Sequence, residues 1–413
     1  MCAATRSIAD GDHARKDGMV KLTRANAAKH ADAFLDRCPE WPDQCEGRGI
    51  VTCGGGIKYG GCVWVLCRLL RHLGCELPIE VWCLNSDEFD PEWIELLRPL
   101  GVTCRNAEDV LPEHPHPRLG GWELKPYAIK HSRFREVLFL DADNVPVRDP
   151  SDLFDTAEYE RSGTLFWPDP KHFHTPPSSP LWSVFGASYR DSPDQESGQL
   201  LIDKMRCWRA LCLCNWYNEH SDFYYTQVYG DKETFRFAWQ RLDQPISWPA
   251  NYASSRLLFT LEQHDFCGEV LFQHRFYRKW SLYGRNTHIP GFVHEELCLG
   301  FLDELRLAWC PQSHLMRRVR EDDREFMADL AGKRFLYDRP GQNRWPMRLG
   351  PTGQVEEGFG PNEHFWWIEE GSLVLVGADG RRKSRLSCSP DGVWRGRGLT
   401  RRRTEVRLSP LTR

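Results

Sequence analysis

Two aspartates one residue apart, Asp141 and Asp143, follow directly on an uninterrupted apolar run, Val137-Leu138-Phe139-Leu140. Such a run fits a strand covered on both faces. Along an extended chain, residues i and i+2 face the same way, so the two carboxylates would lie together. Like charges so placed repel unless a cation sits between them. Oxygen ligands suit Mg2+ or Mn2+, which take few side chains and bridge substrate phosphates. The chemistry that needs this is cleavage of a sugar–phosphate bond, where a Lewis acid stabilises charge on the departing diphosphate. The plain alternative is a turn, since Asp and Asn are common after strands.

The elements around this pair set its place. Gly49 to Cys53 is a short β-type run, followed by Gly54-Gly55-Gly56 and an amphipathic helix from about Gly61 to His72. Pro78 to Leu84 reads as the next strand. Asp90 caps a helix with Pro91 in its first turn, running to about Leu100. Val102 to Cys104 is a third strand, and helical spacing returns from Lys125 to about Arg133. Strand alternating with helix argues for an open α/β sheet. Ligands of such sheets sit at the carboxyl ends of the strands, so the residues after Cys53, Leu84 and Leu140 come first for chemistry. Outside this region, residues 1 to about 20 read as a loose polar arm, and Asn26 to Cys38 as a helix ended by Pro39 and Pro42. Arg317 to Leu330 reads as a charged helix. From Arg334 onward come short β-type runs with turn signals, among them Phe365-Trp366-Trp367-Ile368 and Ser372 to Val376.

The series Gly121-Trp122-Glu123-Leu124-Lys125-Pro126, then Val137 through Asp141-Ala142-Asp143-Asn144-Val145-Pro146, then Asp149-Pro150 and Leu153-Phe154, resembles a known family. It is similar to the core of the fungal α-mannosyltransferases that extend cell-wall mannan and of their bacterial relatives. More distantly it resembles glycogenin-like retaining glycosyltransferases. Gly49-Ile50-Val51 with Gly54 to Tyr59, Leu77 to Trp82, Glu196-Ser197-Gly198-Gln199, Tyr229-Gly230-Asp231-Lys232 and Phe272-Gln273-His274 fit in the same order, so the resemblance covers roughly residues 45 to 285. It implies a GT-A fold, an open mixed sheet flanked by helices. With the β-type runs near the end, the expected organisation is an arm and helix over 1–45, a GT-A domain over 46–310, and a linker helix with a small β-rich domain over 311–413.

The resemblance also implies roles. Asp141 and Asp143 would hold the metal and donor, with His274 as a third metal ligand. Lys125 would approach the donor's phosphates or sugar, and Gly54, Gly55, Lys58 and Tyr59 would pass close to the nucleotide. Glu196 and Asp231 would stand at the donor sugar or the acceptor. Lys279 would neutralise the leaving diphosphate beside Arg275 and Arg278. Each has a bland rival. The glycines could serve only a tight strand-to-helix turn. Lys125 could be a solvated helix-start lysine, and His274 a structural imidazole. Asp231 could cap the helix that follows it. The basic residues after His274 could form an exposed loop, and Trp167 could pack in the core rather than shape a sugar pocket. His264 ranks below His274 as a ligand, and His114-Pro115-His116 reads as an exposed loop.

The expected activity is therefore metal-dependent transfer of a hexose, mannose first, with retention, from GDP-mannose or a UDP-hexose to a carbohydrate or glycoconjugate hydroxyl. Mn2+ or Mg2+ would be the cofactor. An inactive carbohydrate- or nucleotide-binding protein, and a sugar nucleotidyltransferase, are the other classes. Composition excludes several more. With 41% hydrophobic and 27% charged residues in 413, the chain can build a sizeable core and is not wholly disordered. A net charge of −4 gives no basis for a nucleic-acid partner. No apolar window reaches membrane-spanning length and the N-terminus lacks a signal-type apolar stretch, so a cytoplasmic location is expected. The 16 cysteines are scattered through apolar runs, which favours buried free thiols over a disulfide framework.

Overall fold

The computed structural model describes residues 21–255, 260–311, 314, 316, 319–358, 360–399 and 404–411. The expected polar arm at 1–20 lies outside them.

The central sheet is built from β1 (Arg48–Cys53), β2 (Ile79–Cys83), β3 (Val102–Asn106), β4 (Glu136–Leu140), β6 (Thr164–Pro168) and β7 (Gln195–Asp203). The three short strands β5 (Asn144–Pro146), β8 (Leu261–His264) and β9 (Val270–His274) form a separate sheet beside it. The central order is β3-β2-β1-β4-β7-β6. The first four strands are parallel, with Ile50 opposite Leu138 and Val51 opposite Phe139, while β7 runs antiparallel to both β4 and β6. This is the open mixed sheet, flanked by helices, that the sequence led us to expect.

The apolar runs follow from burial on both faces. Leu138 and Leu140 enter one core with Val63 and Leu66 of the helix Gly56–His72. Val137 and Phe139 enter the other, with Ile129 of the helix Leu124–His131 and Leu211 of the helix Lys204–Glu219. Alternate residues of a strand point to opposite faces, so one short strand seeds two cores.

The helix after β1 starts at Gly56, five residues before the expected Gly61. The glycines that read as breakers are its entry. Gly54 and Gly56 have φ of +149° and +58°. A Cβ on Gly55 would lie 2.6 Å from the Glu88 carbonyl oxygen, so the loop packs backbone against backbone. Downstream, Asp90 does cap its helix, accepting from the Glu92 N–H, though the α-helix ends at Leu97 and a 3-10 turn covers Arg98–Leu100. The helix expected from Lys125 to Arg133 is Leu124–His131.

The C-terminal β-rich region is an eight-stranded antiparallel sheet. Its strands are β10 (Arg334–Arg339), β11 (Asn343–Leu349), β12 (Val355–Glu357), β13 (Phe365–Glu369), β14 (Ser372–Val376), β15 (Arg382–Cys388), β16 (Trp394–Gly398) and β17 (Glu405–Pro410), in the order β12-β11-β10-β17-β16-β15-β14-β13. A bridge between Gln354 and Phe365 joins the two outer strands, so the sheet closes on itself as a barrel and protects its edges. Alternation fills the interior: Phe335, Tyr337, Leu386, Val406 and Leu408 point inward. Glu370 and Gly371, both at positive φ, make the two-residue turn between β13 and β14, and their N–H groups donate to Asp323 of the helix Glu321–Leu330.

Every described cysteine is a free thiol. Among the described residues no helix is long and apolar enough to cross a membrane.

Candidate active site

Asp141 and Asp143 meet by a turn, not along an extended chain. β4 ends at Leu140, and the Asn144 N–H donates to the Asp141 carbonyl at 2.9 Å. The expectation that the two carboxylates share a face of an extended strand is therefore wrong: a turn, not the strand period, brings them together. The turn is pinned to β7: the Asp141 N–H donates to the Gly198 carbonyl, and Asn144 Nδ2 donates to Gly198 O and to Gln199 Oε1. Pairing of β5 with β9 then sets Asn144 opposite His274. That register brings a distant imidazole to the aspartates.

One atom each from Asp141, Asp143 and His274 lie within 4.8 Å of one another. His274 Nε2 is 3.5 Å from Asp143 Oδ1 and 3.9 Å from Asp141 Oδ2. Its other ring nitrogen, Nδ1, faces Glu196 Oε1 at 3.5 Å. Gly198 makes room for this: a Cβ there would fall 2.6 Å from His274 Nδ1. The Gly198 N–H also donates to Glu196 Oε2 at 2.6 Å.

Lys125 is buried, not a solvated helix-start residue. Its Nζ lies 3.2 Å from Asp141 and 3.2 Å from Asp231, and donates to Ser197 O and Oγ. Asp231 stands at the N-terminus of the helix Lys232–Arg241 but makes no side-chain cap, and its carboxylate turns to Lys125 and Ser197 instead. Lys279 pairs with Asp143. Its neighbour Arg275 does not belong to an exposed basic loop: it is fully buried, bonded to Glu295 and stacked 3.8 Å over Trp280. Trp167 is core, donating from Nε1 to the His264 carbonyl. His116, expected in an exposed loop, is buried edge-on against Tyr127.

The electrostatics are those of a packed polar network. Burial alone would depress the Lys125 ammonium, but Asp141, Asp231 and Glu196 outweigh it and raise its pKa. Burial likewise opposes charge on His274, yet Asp143 and Glu196 lift it to about 10. Asp143 is held well below the usual carboxylate range: burial works against its charge, and Lys279 and His274 more than compensate. Glu196 is drawn down to about 2 by His274, Lys125 and the Gly198 N–H, against the same burial effect. Asp141 moves the other way, burial pushing it up against the pull of Lys125 and His274.

The structure thus gathers Lys125, Asp141, Asp143, Glu196, Asp231, His274 and Lys279. The Gly54–Tyr59 segment, the entry and first turn of the helix Gly56–His72, adjoins them, since Lys279 Nζ lies 5.9 Å from the Tyr59 ring centre. Sequence reasoning gave no role to Ser197 and Asn144, which fasten these groups in place. It also missed an exposed aromatic pair beside them: Trp122 is 42% and Tyr229 70% exposed, with ring centres 5.2 Å apart. Trp122 sits three residues before Lys125 and Tyr229 two before Asp231, a proximity that the motifs contain but do not announce.

Residues 47–181 and 178–275 match the family model described as "Mannosyltransferase putative". Among curated proteins, the chain is 29% identical over 275 residues to alpha-1,2-mannosyltransferase MNN24 of Candida albicans, covering 55% of this chain and 39% of that one. It is 27% identical over 296 residues to alpha-1,2-mannosyltransferase MNN5 of Saccharomyces cerevisiae, covering 57% and 50%. The chain therefore spans half or less of these relatives' length. Among solved structures, galactosyltransferase LgtC in complex with donor and acceptor sugar analogues gives a TM-score of 0.35 at 16% identity, covering 49% of this chain and 73% of that one. The family match takes in β1 through β9 and every residue gathered at the site except Lys279, and by it the chain belongs to this mannosyltransferase family.

Proposed function

We propose that this protein is a metal-dependent glycosyltransferase that moves a mannosyl residue from GDP-mannose to a carbohydrate hydroxyl. The observation that carries this reading is the Asp141–Asp143–His274 set at the carboxyl end of β4, backed by Glu196 and ringed by cations. Two oxygen donors and one imidazole fit a divalent ion of the Mn2+ or Mg2+ class. When bound there, such an ion supplies Lewis-acid stabilisation of charge on a leaving diphosphate. Lys279, freed from Asp143, is positioned to neutralise the same charge. Lys125 pairs with Asp141 and Asp231 at once and holds the two carboxylates side by side. Glu196 orients the His274 ring and keeps Nε2 turned toward the aspartates. The exposed Trp122–Tyr229 pair next to Asp231 offers the kind of aromatic surface on which a sugar acceptor stacks. The relatives' names specify α-1,2 linkage; GDP-mannose carries its diphosphate in the α configuration, so an α product here means retention.

The test is nucleotide release and product formation with purified protein, a manno-oligosaccharide acceptor, and a panel of GDP- and UDP-sugars, with Mn2+ and with EDTA. GDP release only with GDP-mannose, Mn2+ and acceptor, and an α-anomeric product by NMR, is the expected result. Turnover with a UDP-sugar alone would replace the donor. No metal-dependent turnover or nucleotide binding at all would sink the transferase reading. Glu196 gives a narrower test. Glu196→Gln should weaken Mn2+ binding by roughly 10- to 100-fold, because its support of the imidazole is lost. Unchanged Mn2+ affinity with impaired transfer would place Glu196 at the sugar instead.

A further inference from the structure

The C-terminal barrel lies beyond residues 47–275, which match the mannosyltransferase family. Yet it touches the candidate donor segment directly. Ile57, the second residue of the helix Gly56–His72, is buried in the barrel's own apolar cluster with Phe365, Leu375 and Tyr337. The turn between β14 and β15 lies against the same point: a Cβ on Gly380 would meet Ile57 Cβ at 3.0 Å and the Lys58 amide nitrogen at 3.8 Å. The turn is itself well built. The Gly377 N–H donates to Arg381 O, Gly380 N–H to Gly377 O, and Arg381 N–H to Asp379 Oδ1, while Asp379 Oδ2 is taken by Lys383.

Arg381 is exposed, and among the described residues no carboxylate pairs with its guanidinium. Its turn lies against Lys58, which shares a ring with a further cation, Lys279. Lys58 Nζ lies 4.0 Å from the Tyr59 ring centre and Lys279 Nζ lies 5.9 Å from it. Burial first, and then repulsion from Arg381 and Lys279, depress the Lys58 ammonium to about 8 against the weaker pull of Glu88 and Asp379. Lys58 and Lys279 share one aromatic ring, the turn that carries Arg381 lies against the Lys58 backbone, and Asp143 is the partner of Lys279. Such a group of cations is suited to a polyanion.

We propose that the barrel completes the donor site, presenting Arg381 with Lys58 and Lys279 as a third cation for the diphosphate of a nucleoside diphosphate donor. This rests on the donor-site reading above and extends it to a residue outside the family match. Guanidinium is the right group for the task, because its planar fork bonds two phosphate oxygens at once, which an ammonium does not. The barrel is then a specificity element of the transferase, not an appended module. Its docking through Ile57 also fixes the start of the helix that carries Lys58.

Calorimetric titration of the full chain with GDP and Mn2+, and separately with guanosine, tests this in wild type, Arg381→Ala, Arg381→Lys and Arg395→Ala. Arg395 is a barrel arginine paired with Asp391 and serves as the control. Arg381→Ala should weaken GDP binding roughly tenfold, the effect of one lost charge-assisted bond. Guanosine should be unaffected, Arg381→Lys should recover part of the loss, and Arg395→Ala should match wild type. Thermal melts of the same variants, expected to coincide because Arg381 is exposed, separate loss of a contact from loss of fold. Wild-type GDP affinity in Arg381→Ala, with wild type itself binding GDP, would overturn the proposal and leave the donor site intact; absence of GDP binding to wild type would overturn both.

Discussion

Asp143→Asn should lower kcat/KM for transfer by roughly 1,000-fold or more, while the protein still folds. Asp143 is the buried carboxylate shared by His274 and Lys279, so no other side chain at the site offers the same charge in the same place. The asparagine keeps the shape and removes the charge. Metal-dependent GDP binding should vanish with it, whereas removal of a merely structural aspartate would leave nucleotide affinity intact. The metal-free protein gives a second readout. In wild type the His274 pKa lies at about 10, above its ordinary value near 6.5. A raised folded pKa contributes stability that is fully present below 6.5 and is lost as pH rises through 10. In EDTA, wild type should therefore lose melting temperature between those limits, and Asp143→Asn should lose less of it. Parallel pH profiles for the two proteins would show that Asp143 does not hold His274 charged.

What the sequence made legible follows the distance between partners. The parallel strands announce themselves, because burial on both faces writes itself as a run such as Val137–Leu140. Asp141, Asp143, Lys125 and Asp231 lie in compact motifs and are found from them. Their contacts are not, since an ion pair across the fold leaves no local pattern. His274 is the clearest case. The family resemblance singles it out, but its contact with the aspartates follows from the β5–β9 register, and register is set by tertiary pairing. Arg275 shows the opposite failure, for a basic run looks solvated until the structure supplies a buried partner in Glu295. The barrel's strands were legible by alternation and turns. Its closure was not, because that depends on one bridge between Gln354 and Phe365. Arg381 was invisible for the same reason: its significance is its proximity to Lys58, more than 300 residues earlier in the chain.

Lys125→Met should be the most destabilising single change at the site. The ammonium neutralises Asp141 and Asp231 at 3.2 Å each, and Glu196 also contributes to its raised pKa. Methionine fills nearly the same space, so lost packing is minor and the effect is electrostatic. Breaking a buried ionic cluster by removing one partner costs about 3–5 kcal/mol, because the remaining charges have no compensation. Urea denaturation should show that loss as a lower midpoint with an unchanged slope. Adding Asp231→Asn removes one of the stranded charges, so the double variant should be more stable than Lys125→Met alone. That reversal in sign distinguishes charge compensation from packing, for a packing defect would only deepen with the second change. The double variant should nevertheless remain inactive. Stability needs only that the charges balance, whereas the proposed transfer needs the paired Lys125 ammonium and Asp231 carboxylate themselves at the donor site. Recovery of stability together with recovery of activity would mean that neither group meets the substrate and that the Lys125–Asp231 pair is scaffold alone.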